Sequence, residues 1–198
     1  MVTKTQLNTL RADVGAKAKN GIDFILAATI IWIMIAVIWM LPFSAYDRSV
    51  FTFIIGGLLL PFALGFSKLL KTSWKIPDNP LQPLGLWLNF SQLFYFPFLI
   101  FVLLKHPDYF LMTYAIITGA HFFPYSWYYN NKAYAIMAGT ISAGSLLLAL
   151  YLSPSDFYIA GFFMAFCLLI LAIWNFTIYQ KRKLAEQETT SERMRCKP

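Results

Sequence analysis

The sequence predicts an all-α fold: a polytopic membrane bundle of six transmembrane helices, both termini cytoplasmic, with a short interfacial helix at the N-terminus. Three observations predict it. Of 198 residues, 59% are hydrophobic and 18% aromatic against 13% charged, outside the usual range of soluble domains. Six apolar runs of bilayer length follow one another, and Lys and Arg gather at one set of run ends. The chain is expected to divide into an amphipathic leader over 1–20, one transmembrane domain over 21–179 and a basic cytoplasmic tail over 180–198.

The leader places Leu7, Leu10, Val14 and Ala18 on one helical face, with Lys4, Arg11, Lys17 and Lys19 around them. This pattern suits a helix lying on anionic lipid, so the bilayer is the first expected partner. Cleavage as a signal peptide is not expected. Residues 1–20 are polar, the run after them spans a whole bilayer, and a cut after Ala45 would put Phe43 where a small residue is required.

The runs cover 21–43, 49–71, 81–104, 109–129, 133–152 and 155–179. About 20 residues at 1.5 Å rise cross the ~30 Å hydrocarbon core. Each run is continuously apolar and lacks the alternation of a barrel strand, so each is expected to be a helix. Every start carries a signal: Asn20 with Asp23, Asp47 before Ser49, Asn79-Pro80 with Gln82, Asp108, Asn130 or Asn131, and Ser153-Pro154 with Asp156. Asp23, Asp47, Asp108 and Asp156 are accordingly expected to serve helix termini and the macrodipole. Gly56, Gly57, Pro61 and Gly65 interrupt the second run, Pro97 the third and Pro124 the fourth, while Ala135, Gly139 and Ala143 form a small-residue stripe suited to close packing.

Orientation follows from the charges. Of the 16 Lys and Arg, all but Arg48 and Lys105 fall on the side that holds both termini, which places that side in the cytoplasm of a plasma or inner membrane. The tail from Gln180 has no hydrophobic period and is expected to be disordered past the last helical turn. Cys196 is third from the end, whereas prenylation requires the fourth.

The stretches NPLQPLGLWLNFSQLFYFPFLIF (79–101), TYAIITGAHFFPYSW (113–127) and KNGIDFILAA (19–28) resemble a family of short bacterial six-span membrane proteins of unassigned function. The resemblance covers most of the chain. It implies a bacterial membrane location and one intact domain, and it brings no site, substrate or cofactor with it.

Several functions are set aside by what is missing. The net charge of +7 sits at span ends, so no nucleic-acid partner is expected. Cys167 and Cys196 make neither a disulfide framework nor a metal spacing, and no metal or cofactor is expected. There is no zinc-protease helix motif, no phosphate-binding loop and no nucleophile elbow, since Gly139-Thr-Ile-Ser142-Ala-Gly144 has the wrong spacing. No catalytic residue is assigned, and a Ser142–His121 dyad is the remote enzymatic alternative. Nothing sets an oligomeric state.

What remains is a polar layer within the spans. His121 is the only histidine inside one, and an ionisable group there is a functional candidate by default. Gln92 and His121 each lie eight residues from the inner ends of their runs, roughly 12 Å deep at helical rise. Asn89, Tyr125 and Asn175 form a layer just below. Gln82, Asn89, Gln92 and Phe96 share one helical face, as do Tyr114, Thr118, His121, Tyr125 and Tyr128, and the two faces are expected to meet or to line a cavity. Asn89, Gln92, His121, Tyr125 and Asn175 are therefore the expected ligand-binding residues, with His121 at the centre and aromatic walls around it. With no buried carboxylate expected, proton coupling would rest on His121. The corresponding function is a carrier or channel for a small neutral or lipophilic solute. The alternative is a non-transporting membrane ligand-binding or accessory protein, whose polar layers only join helices.

Overall fold

The computed structural model describes residues 3–195, which form seven helices and no strand. Cys196 lies outside the described residues. Helix α1, Lys4–Lys17, opens on a capping box in which Thr3 and Gln6 each bond the other's backbone N–H. It ends in a tight turn where Lys19, Asn20 and Gly21 take φ of 46°, 54° and 72° in succession. Left-handed residues other than glycine cost ~1–2 kcal/mol each, so the turn needs outside support. Tyr134 Oη donates to the Asn20 carbonyl, and Lys19 Nζ donates to the Leu70 carbonyl at 2.6 Å. Gly21 has a second reason to be glycine: the Tyr129 and Tyr134 hydroxyls lie 3.1 and 3.2 Å from where its Cβ would stand.

Helix α1 packs against protein. Val14 and Gly15 are buried, Ser73 N–H donates to the Lys17 carbonyl at 3.0 Å, and Asn79 Nδ2 donates to the Leu10 carbonyl at 2.9 Å. Asn79 Nδ2 also reaches Asp13 Oδ2 at 2.8 Å, and with Lys17 at 2.7 Å it holds that carboxyl below the usual carboxylate range. The apolar face read from the sequence thus turns at Val14 into the protein.

The other helices run up and down. They are α2 (Ile22–Met40), α3 (Ala45–Leu70, with a break at 57–58), α4 (Gln82–Lys105), α5 (110–128), α6 (Lys132–Tyr151) and α7 (Tyr158–Arg195). Among the described residues, five helices are long and apolar enough to cross a membrane: α2 with its lead-in turn, α3, α4, α6 and α7 up to Ala185. Their outward faces are bare hydrocarbon, with Leu69, Trp87, Phe94, Leu150 and Phe166 exposed. That is the build of a multi-pass membrane protein.

The fourth expected span, 109–129, comes out differently. It forms as Phe110–His121, a turn at Phe122, and Phe123–Tyr128. Pro124 lacks the N–H that the Ala120 carbonyl would receive. Phe122 N–H bonds back to the Gly119 carbonyl and Tyr125 N–H to the Phe122 carbonyl, both at 3.1 Å, in the tighter i−3 pattern.

Asn131 caps α6 as expected, whereas α3 starts at Ala45 and its cap is Ser44, a residue outside the expected start signals, with the expected Asp47 in the first turn. Ser44 caps α3 with Asp47 at the third position, and Asn131 Oδ1 accepts from Ala133 N–H at the start of α6. The tail does not follow expectation, because α7 continues as helix to Arg195. Gln180–Lys183 and the Leu-Ala-Glu that follow are good helix formers, and Arg182 clamps the segment by donating to the Tyr129 and Asn130 carbonyls at 3.2 and 2.8 Å. Helix α2 is central, packed between α3 and α7, with Trp32, Ile35 and Trp39 buried and Trp39 Nε1 donating to Thr52 Oγ1 at 3.0 Å. Both described termini lie at one end of the bundle. At the other, Ser49 Oγ meets the Pro107 carbonyl and Tyr109 packs on Phe157.

Candidate functional site

The site begins with two helices that lose their regular ladders at the same depth. On α4, Pro97 can neither donate to residue 93 nor avoid its carbonyl, and the chain tightens into a 3-10 turn over Gln92–Tyr95. On α5, Pro124 produces the turn at Phe122, leaving His121 as the last residue of the upper segment. The two polar faces meet as the sequence suggested. Gln92 Nε2 donates to Thr118 Oγ1 at 3.3 Å, and Tyr125 Oη donates to Asn89 Oδ1 at 2.8 Å. Below them the helices approach through Gly85, whose missing Cβ would stand 2.6 Å from Tyr128 Oη.

His121 lies between these bonded pairs without joining them. Its ring meets the Tyr125 ring edge to face, centroids 5.4 Å apart, and among the described residues neither ring nitrogen has a hydrogen-bond partner. The ring is only partly buried. Ser142 Oγ faces the Ile116 carbonyl at 3.4 Å. It makes no bond to His121.

Asn175 stands in a second group. It is fully buried on α7, where its Oδ1 accepts from Asn131 Nδ2 and its carbonyl from Asn20 Nδ2 at 3.4 Å. The Tyr134 hydroxyl stands beside its amide, yet Asn175 Nδ2 and Asn20 Oδ1 are both buried without a well-formed hydrogen bond. Tyrosine rings connect the groups: Tyr125 lies 5.7 Å from Tyr134 and 6.0 Å from Tyr129, and Tyr129 lies 5.6 Å from Tyr134. The structure thus brings Asn89, Gln92, His121 and Tyr125 onto one α4–α5 seam and sets Asn175 behind a wall of tyrosines.

Asp23 takes the first-turn place expected of it and corrects a different expectation. It lies in the first turn of α2, but the capping position is Gly21, with no side-chain bond. Its Oδ2 instead accepts from Thr72 Oγ1 at 2.6 Å and Trp74 Nε1 at 2.7 Å, while Oδ1 accepts from Phe24 N–H at 3.0 Å. A buried carboxylate is therefore present after all, and it latches the segment between α3 and α4. Position 23 advertises a helix start, whereas its partners lie some fifty residues away, where no local pattern points. Asn20, Asn131, Tyr129 and Tyr134 were missed for the same reason.

Among the described residues no group of three or more His, Cys, Asp or Glu could hold a metal. Residues 7–178 match a family of unknown function, DUF7010. The chain belongs to this family. The match takes in the whole α4–α5 seam, the tyrosine wall and Asp23. No curated protein and no solved structure matches it.

Proposed function

We propose that this DUF7010 protein is a six-span plasma-membrane protein, both termini cytoplasmic, that binds and carries a small neutral or lipophilic solute at the α4–α5 seam. The observation behind it is the state of His121: a partly accessible imidazole within the apolar layer, unpartnered while its polar neighbours are bonded. A neutral imidazole offers one donor and one acceptor, and leaving both unused in an apolar setting is costly. A guest with a hydroxyl, amide or amine would use them, with the Phe122 and Tyr125 rings as walls. The breaks in α3, α4 and α5 supply places where the bundle can shift around it. A second reading is favoured by the Asn89–Tyr125 and Gln92–Thr118 bonds, which are what interhelical glue looks like.

A thermal-shift screen of the purified protein against amines, sugars, amino acids and lipids separates the two. A ligand at a hundred times its dissociation constant stabilises by about 2.7 kcal/mol, and His121→Ala is expected to abolish the shift while leaving the unliganded midpoint nearly unchanged. Equal shifts in both proteins rule the site out. Uptake of the hit into proteoliposomes then separates carriage from binding alone.

Six spans need α5 to cross as a kinked helix, which a turn at Phe122 permits because neighbouring helices satisfy freed backbone groups. Single cysteines at Lys4, Lys75, Lys132 and Lys183 are expected to resist an impermeant thiol reagent in intact cells. Cysteines at Arg48 and Ser155 are expected to react. Outside labelling at position 75 or 132 overturns the topology.

A further inference from the structure

We propose that Arg11, with the Trp127 ring beneath it and Arg182 meeting α1 one helical turn further on, forms a binding site for a phosphate-bearing anion at the end of the bundle that carries both termini.

Arg11 is on α1, only 8% exposed, with its guanidinium carbon 3.8 Å from the centre of the Trp127 ring. Its Nε and Nη2 are buried and have no hydrogen-bond partner. An arginine stays charged at any physiological pH, and an ion taken from water without a partner carries a large desolvation penalty. Stacking on an aromatic face offsets part of it. The remainder calls for a counter-ion, and among the described residues the only ion pair is Lys17–Asp13. The two unused nitrogens define the shape of what is missing. Nε and Nη2 lie on one edge of the guanidinium, the fork that takes two oxygens of one phosphate or carboxylate.

A second positive charge stands close by. Gly15 follows Arg11 by one helical turn, and Arg182 Nη1 is 3.3 Å from where the Gly15 Cβ would be. Arg182 spends two donors on the Tyr129 and Asn130 carbonyls and faces no described carboxylate. Phosphate is favoured over carboxylate by place: Trp127 is half exposed at the basic end of a chain built for a membrane, where lipid phosphates lie. The fork edge is enclosed in this structure, so an anion reaches it only if α1 moves outward. The anion can be a lipid headgroup or free phosphate, and only the first source depends on the membrane reading.

The test is thermal unfolding of the full chain in zwitterionic detergent with added phosphatidylglycerol, phosphatidylcholine or inorganic phosphate. Phosphatidylglycerol is expected to raise the midpoint saturably and phosphatidylcholine to have little effect. Arg11→Gln is expected to raise the half-saturating concentration at least tenfold, and Lys4→Gln, which removes the same charge from an exposed position of the same helix, to leave it unchanged. Should Arg11→Gln not fold, Arg11→Lys carries the test: it keeps charge but loses the fork, and the same tenfold weakening is expected. A response to inorganic phosphate equal to that to phosphatidylglycerol, still lost in the Arg11 variant, supports the site with a soluble anion as occupant. Absence of any response to phosphate or phosphatidylglycerol overturns it, as does equal weakening by Lys4→Gln.

Discussion

Replacing Asp23 by alanine is expected to destabilise the protein by about 2–4 kcal/mol, the loss of three charge-assisted hydrogen bonds less the relief of a buried charge. Its Oδ2 is the shared acceptor for Trp74 Nε1 and Thr72 Oγ1, and the Trp74 ring packs on Phe24 with centroids 4.8 Å apart. Asn is no substitute. With its Nδ2 in the Oδ2 position it points a donor at Trp74 Nε1–H, and flipped it keeps a carbonyl there but points that donor at Phe24 N–H. Asp23→Asn should therefore lose part of what Asp23→Ala loses. Unfolding in mixed micelles measures the loss, and trypsin reports its place, since Lys71 and Lys75 flank the latched residues and cleavage there should rise before the bundle unfolds. An asparagine variant as stable as wild type, with no faster cleavage, would show that the carboxylate is not a latch.

Asp23 also marks where the sequence stops being legible. The helices themselves follow from local chemistry, because apolar runs of bilayer length have few other outcomes once backbone groups must pair internally. The breaks were legible for the same reason: Pro97 and Pro124 remove an N–H wherever they stand, and the 3-10 turn at Gln92 and the turn at Phe122 follow. So was the meeting of the α4 and α5 faces, which needs only helical periodicity and an antiparallel neighbour. Closure of polar groups over long separations was not. Asn131 and Asn175 are 44 residues apart, and Asn20 and Tyr134 are 114. Each reads locally as a cap, a loop residue or an interfacial aromatic.

The candidate site divides along the same line. Asn89, Gln92, His121 and Tyr125 share a seam because depth and face can be counted along two neighbouring helices. Asn175 matches them in depth, but depth does not give azimuth, and α7 presents it to α2 and α6 instead. Arg11 shows the limit from the other side. Its charge reads locally as an attachment to lipid, and only the fold reveals that its side chain is enclosed against Trp127 with a free edge.

Two glycine-to-alanine changes are expected to move stability in opposite directions. A Cβ on Gly161 would lie 2.8 Å from Ala36 Cβ and 3.0 Å from Ala36 Cα, so part of what it meets is backbone and cannot rotate away. Helices α2 and α7 would have to separate along the contact that buries Trp32, Met164 and Leu168. Gly161→Ala is accordingly expected to cost about 2–3 kcal/mol, the upper range for overpacking. Gly139 belongs to the stripe on α6 that the sequence assigned to close packing, yet nothing lies within 4 Å of its Cβ position and the residue is exposed. There the same methyl meets no neighbour and only improves helix propensity, so Gly139→Ala is expected to gain about 0.5–1 kcal/mol. Ala36→Gly in the Gly161→Ala background should recover part of the loss, because it removes the nearer of the two clashing carbons while leaving the Cα in place. Unfolding midpoints of the four proteins decide the matter. A loss at Gly139 comparable to that at Gly161 would mean that the α6 stripe packs against a neighbour in the membrane, and a gain at Gly161 would mean that α2 and α7 do not cross where the structure puts them.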